Sequence, residues 1–180
     1  MVKKSTVKFL VALASAFVLM IVFRALAMTV YTIGDDTLAP HLLSGDRVLV
    51  NRWSYGLRVS RGSLFSYGRI GRQKVSRGDL VAVDGEGVPA GNSQPAIFRC
   101  GALPGDTIKI DGVLTVVPGL EQCADADYYL MEQVGEGGAH HQGFVREEQI
   151  IGRVTHVIYR LDPSLPLWQG WESSRTFMPL

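Results

Sequence analysis

The stretch Tyr31–Asn51, YTIGDDTLAPHLLSGDRVLVN, decides the fold. Leu42-Leu43-Ser44-Gly45-Asp46 reads as a turn, because glycine and aspartate accept the backbone angles a tight turn needs. Arg47–Arg52, rich in valine and leucine, reads as the strand that leaves it. Ahead of the turn come Asp35, Asp36, Thr37 and Leu38, then Pro40 and His41. A strand-rich domain begins here, directly behind an apolar run.

That run starts at Phe9, after Lys3, Lys4 and Lys8, and is interrupted only by Arg24. The 23 residues Phe9–Tyr31 compare with the roughly 20 that a bilayer needs. The lysines ahead of the run put that end in the cytoplasm, and Arg24 can snorkel to the far headgroups. A cleaved secretory signal is the rival reading: Ala25-Leu26-Ala27 has the form of a cleavage site, which would release a chain beginning at Met28. Both readings place Thr37 outside the cytoplasm.

The chain's 180 residues leave room, besides the anchor, for one domain of about 100–150 residues. Twenty glycines and eight prolines suit a turn-rich β protein, and a net charge of +1 argues against bulk binding to nucleic acid. Arg58 to Arg77 is basic without an acid, a pattern of a solvated loop or of a surface near anionic headgroups. Arg77-Gly78-Asp79 and Pro104-Gly105-Asp106 are further turns, and Leu80–Val83 and Ile108–Ile110 further strands. Two cysteines, Cys100 and Cys123, permit a disulfide in an oxidising compartment or remain two separate thiols. The aromatic residues of the tail, Trp168, Trp171 and Phe177, suit either the bilayer interface or the surface of the β domain.

The opening stretch resembles the first conserved segment of the type I signal peptidases, Y-T-I-P-S-G-S-M-x-P-T-L-x-x-G-D-x-V-L-V-N-K. Ile33, Pro40, Leu42, Gly45, Asp46 and Val48 to Asn51 match. Arg77–Val83 resembles the segment R-G-D-[IV]-V-V-F, Ile97–Ile108 resembles I-K-R-V-x-G-L-P-G-D-x-I, and Gly143–Arg153 resembles G-x-V-P-x-x-x-I-x-G-K. Four segments in the right order carry the likeness from the anchor to about Tyr159. The resemblance implies a membrane-anchored peptidase fold with a Ser-Lys dyad. In this chain the nucleophilic serine falls on Thr37 and the general-base lysine on Phe98. After Met131 the segment G-D-N-R is absent. The resemblance further implies that the residues flanking the two positions, Asp36, Leu38, Ile97 and Arg99, contact a bound strand.

A hydroxyl is a weak nucleophile at neutral pH without a base beside it, and the family's lysine serves because apolar surroundings keep it neutral. Thr37 retains an oxygen, crowded by its methyl, whereas Phe98 accepts no proton. Replacement bases to weigh are His41, four residues beyond Thr37, then Lys74, Lys109, His140, His141 and His156. Asp35 and Asp36, neighbours on an extended chain, point apart and make a poor carboxylate dyad. With His41 they lack metal-ligand spacing.

The expectation is therefore a mainly β protein: a cytoplasmic tail over 1–8, a single transmembrane helix over 9–31, a signal-peptidase-like antiparallel β domain over 32–160 and a tail over 161–180. It calls for no cofactor and no metal. Expected partners are the membrane, exported proteins or signal peptides, and a catalytic paralogue, with no nucleic acid. The expected place is a bacterial-type cytoplasmic membrane with the β domain on its outer face. Three functions follow from this reading. One is an impaired homologue that binds exported strands. The second is an active peptidase using Thr37 with a displaced base, and the third is a secreted, non-enzymatic β-domain binding module.

Overall fold

The computed structural model describes residues 4–34, 36, 38–58, 67–84, 95–110, 112–135, 138–162, 165 and 170–180. The apolar run forms one helix, α1 (Lys4–Ala27), with apolar side chains spread around it rather than gathered into a stripe. Such a helix has no polar face to turn to water, and none of Thr6–Phe23 is buried within the protein. The helix ends four residues before Tyr31. Met28–Thr32 instead forms β1, where β-branched and aromatic residues favour extension, and pairs antiparallel with β2 (Asp46–Asn51).

The chain continues through a short hairpin, β3 (Leu57–Arg58) and β4 (Arg69–Ile70), then β5 (Leu80–Val83) and β6 (Ala96–Ala102). A second hairpin, β7 (Thr107–Ile110) and β8 (Val113–Val116), leads to β9 (Tyr128–Gly135), β10 (Gly138–Arg146) and the long β11 (Ile150–Leu161). Two short strands close the chain, β12 (Trp171–Glu172) and β13 (Met178–Pro179). The main sheet is antiparallel in the order β1-β2-β11-β5-β6-β9-β10, with β12 and β13 added to β11. The fold is the mainly β one expected from the sequence.

Alternation along β5 and β6 divides the core between the two sheet faces. Val81, Val83, Phe98 and Cys100 enter one cluster with Tyr55, Val75, Tyr129, Met131 and Ile150. Ala82 and Ile97 enter another with Ile33, Leu38, Leu42, Val48, Val50 and Val154. Tyr55 and Val75 cover the first face; Ile33, Leu38 and Leu42, together with Met178 and Leu180, cover the second. The tail therefore packs on the β domain: Trp171 stacks on Tyr159 at 5.1 Å between ring centroids. Phe177 is nonetheless 71% exposed, so the tail's aromatics do not share one fate. Trp168 lies outside the described residues.

The two cysteines are free: Cys100 is buried in β6 and Cys123 is exposed after a 3-10 turn. A thiol facing the core has no route to one on the surface, so the disulfide that the count permitted does not form.

Candidate functional site

Three Gly-Asp turns frame the region. In Leu43–Asp46, Ser76–Asp79 and Leu103–Asp106 the glycine takes a left-handed φ, of 87°, 89° and 87° in turn, which glycine adopts without steric cost. In each, the aspartate N–H donates to the carbonyl three residues back, at 3.0, 3.2 and 3.0 Å. The aspartate carboxylate in return accepts the N–H of that first residue, at 2.9, 3.1 and 2.7 Å. An arginine from elsewhere then neutralises each acid. Arg175 reaches Asp46 at 2.6 Å, Arg153 reaches Asp79 at 3.3 Å, and Arg77 reaches Asp106 at 2.7 Å. The Gly-Asp dipeptides were legible as turns, but no local signal pointed to their arginines, of which Arg175 lies 129 residues from Asp46.

The first turn holds Ile33 and Asp36, close in sequence to the position at which the resemblance expects the nucleophile. Ile33 N–H donates to Asp46 O at 2.8 Å and Gly45 N–H to Ile33 O at 2.9 Å. Asp36 Oδ1 accepts the Ser44 N–H at 2.6 Å, so this carboxylate pins the loop to the turn. Arg175 also donates to His41 O at 2.8 Å. Thr37 and Asp35 lie outside the described residues. Their neighbour Leu38 is buried, in the same cluster as Ile97.

Strand alternation thus gathers Leu38 and Ile97 on one sheet face, with Arg99 exposed two residues along β6 from Ile97. Phe98 turns the other way. It is 2% exposed and lies among Tyr55, Val75, Cys100, Tyr129 and Met131. The polar group nearest in kind on that face is the Tyr55 hydroxyl, which donates to Asp79 Oδ2 at 2.8 Å. Burial, reinforced by that carboxylate, pushes the Tyr55 hydroxyl well above its ordinary pKa. It stays protonated and is no base.

A cleft of about 260 Å³ opens beside the cluster of Leu38 and Ile97, lined by His41, Leu80, Arg99, Arg153, Val154 and Leu180, together with Gly78 and Asp79. It lies where two strands meet end to end. On the side of β11 away from β2, β13 pairs with His156 and Val157, and β5 pairs with Ile150 to Arg153. The Leu180 N–H donates to Thr155 O at 3.1 Å, so Leu180 and Leu80 bound a notch in the sheet.

The other weighed bases lie apart. Lys74 is exposed and lines a separate cleft with Arg72, Leu103 and Tyr129. Lys109 is exposed on β7, away from the main sheet. His140 and His141 fall on β10, at the far end of the strand order from β1 and β2. His156 is exposed on β11. The cleft recruits His41 alone of these.

Comparison with known proteins bears on the whole arrangement. The comparison with curated proteins gives no match. The family model described as signal peptidase, peptidase S26, matches residues 6–136. That span runs from the apolar helix through β9 and takes in both the loop around Leu38 and the strand bearing Phe98. With an apolar N-terminal helix, it points to membrane anchoring. With more than two thirds of its length matched, and the antiparallel β domain behind its apolar helix, the chain belongs to the signal peptidase family, peptidase S26.

Proposed function

We propose that this chain is a catalytically impaired signal peptidase homologue that binds signal-peptide-like strands of exported proteins at the outer face of the membrane. The observation that carries the reading is Phe98. The residue that replaces the family's lysine has no proton acceptor and is sealed in an apolar cluster, on the sheet face opposite Leu38 and Ile97. The capacity to bind remains. β1 stands at one end of the sheet with its outer side unpaired among the described residues, and Met28 and Val30 on it are exposed. An open edge of this kind accepts an extended peptide as an additional strand. Away from that edge, Leu38 and Ile97 lie in one buried cluster, and their neighbours Asp36 and Arg99 are exposed. The N-terminal lysines favour a cytoplasmic N-terminus, and a catalytic paralogue would be a natural partner for a strand-binding homologue.

General-base catalysis contributes about 10²–10⁴-fold, and loss of one member of a cooperative nucleophile–base pair costs about 10⁴–10⁶-fold by analogy with serine triads. Purified protein in detergent should therefore turn over a signal-peptide substrate no faster than buffer, while a labelled uncleaved peptide binds. Turnover by the wild type that disappears in Thr37→Ala would sink the impaired reading and make His41 the first base to test.

A further inference from the structure

We infer that the cleft between the segment after β4 and the 3-10 turn Leu120–Gln122, lined also by Tyr129, docks an uncharged peptide segment through its main chain and one apolar side chain. The inference is independent of the strand-binding reading above. Tyr129 belongs to β9, and β2, β11, β5 and β6 stand between that strand and the β1 edge. The cleft measures about 430 Å³, within the roughly 300–1,000 Å³ of sites that take small ligands.

Tyr129 is the residue that points to a ligand. It is 5% exposed, in the cluster of Val75, Phe98 and Met131, yet its hydroxyl hydrogen-bonds to nothing among the described residues. No side-chain oxygen or nitrogen sealed from solvent lacks a partner among them. The Tyr129 hydroxyl therefore reaches solvent, and the cleft is the opening that Tyr129 lines. A phenol can donate or accept. Burial, then the charges of Glu147 and Asp127, push this one up to about 12, so it keeps its proton and stands ready to donate. Those two acids outweigh Arg72 at the phenol oxygen, which works against an anionic ligand there.

The charges around the cleft are otherwise spent on one another. Arg72 pairs with Glu147 and, at 2.9 Å, with Asp127. Asp127 also accepts the Leu120 N–H at 3.0 Å, and Glu147 faces Arg69 at 3.6 Å. In the turn that supplies Leu103 and Pro104, Asp106 is taken by the Leu103 N–H and by Arg77. Lys74 and Glu121 remain among the lining residues. Both are exposed, neither forms an ion pair among the described residues, and their charges sum to zero.

The uncharged lining then decides the ligand. Val75, Leu103, Pro104 and Leu120 are apolar, and Leu120 is 54% exposed. Gln73 and Gln122 each offer an amide donor and acceptor, and neither side chain hydrogen-bonds among the described residues. Gln122 lies against Gly105 and Gly119, where added Cβ atoms would stand 3.1 and 2.8 Å from its amide. A peptide unit supplies what this set lacks: a carbonyl to accept from Tyr129, and an N–H and a carbonyl to match the glutamines. An apolar side chain beside that unit covers Leu120.

The test is saturation-transfer NMR on the full chain in neutral deuterated detergent, with N-acetyl-Gly-Leu-Gly-amide as the probe. Its free-carboxylate form, its free-amine form and N-acetyl-triglycine amide serve as comparisons. The capped leucine peptide should bind and the three others more weakly. Tyr129→Phe should weaken it about fivefold to tenfold, the effect of one hydrogen bond, and Leu120→Ala about tenfold through lost apolar cover. Because the phenol oxygen has no partner to lose, Tyr129→Phe should leave the melting temperature of the free protein unchanged. A clear fall would show that the hydroxyl is held inside the protein and would overturn the site. No binding of the capped peptide at millimolar concentration overturns it, as does unchanged affinity in Tyr129→Phe. Equal or tighter binding of a charged form overturns the uncharged class, and equal binding of the triglycine overturns the apolar contact. The probe should also bind unchanged beside a saturating signal-peptide strand. Displacement by that strand overturns the second site and leaves the strand-binding reading standing, whereas binding of the probe alone overturns only that reading.

Discussion

At the scale of single residues, neighbours one position apart on β6 have opposite environments. Ile97 faces the cluster of Leu38, whereas Phe98 faces that of Tyr129, and Cys100 follows Phe98 inward. Burial, with Asp79 and Glu132 adding to it, pushes the Cys100 thiol up to about 12. Since the thiolate is the nucleophile, Cys100 should resist iodoacetamide at pH 8 in the folded protein, while exposed Cys123 is alkylated. Mass spectrometry should find one modified peptide in native protein and two after denaturation. A linked Cys100–Cys123 peptide in unreduced protein, or native labelling of Cys100, would contradict this placement. The resemblance puts the family's lysine position on Phe98, in a segment whose flanks match on both sides. It did not reveal which way Phe98 points, because β6 is apolar at both parities except for Arg99, and one polar position is too little alternation to assign a face.

Among elements, the three Gly-Asp turns are built alike but differ in burial, and burial decides what each arginine contributes. Asp46 is 0% exposed and Arg175 12%, whereas Asp106 is 30% exposed and Arg77 62%. Removing one partner of a buried pair leaves an uncompensated charge and costs about 3–5 kcal/mol. An exposed pair contributes about 0–1 kcal/mol. Arg175→Ala should accordingly lower the melting temperature of the detergent-solubilised protein far more than Arg77→Ala, and equal effects would refute the clamp. Acid should act on the outer turn as well. The Leu103 N–H and then Arg77 hold the Asp106 carboxyl below its ordinary pKa. Its contribution is therefore complete above about pH 4 and fades as the pH falls through the lower, folded value. The strands were readable from valine-rich runs and the turns from their glycines. The closing segment was not, because its partners are the carbonyls of β11 and the buried Asp46, both distant in sequence. Only tertiary pairing makes strands of Trp171–Glu172 and Met178–Pro179, each two residues long.

On the scale of the whole molecule, the junction between helix and sheet decides how the protein meets a membrane. The 24 residues of α1 extend about 36 Å at 1.5 Å per residue, enough for a hydrocarbon core of about 30 Å. The helix passes into β1 without a linker: α1 ends at Ala27, β1 begins at Met28, and Ala27 O accepts the Arg52 N–H at 2.9 Å. Phe23 lies against Trp53 with ring centroids 5.6 Å apart, and Trp53 remains 39% exposed. A bilayer around α1 would put the start of the sheet edge proposed to receive a peptide at its surface and Trp53 at that level, where indole rings favour the interface. Cleavage after Ala27 would remove the Phe23 contact and free the edge from the membrane altogether. The full chain should stay in the pellet after carbonate washing and keep its N-terminal lysines. In reconstituted vesicles, lipids brominated near the headgroup should quench tryptophan emission more than lipids brominated near the chain ends, and Trp53→Phe should remove most of that difference. Recovery of a soluble form beginning at Met28 would replace the anchor with a cleaved signal. Quenching that Trp53→Phe leaves intact would place another tryptophan, not this junction, at the bilayer surface.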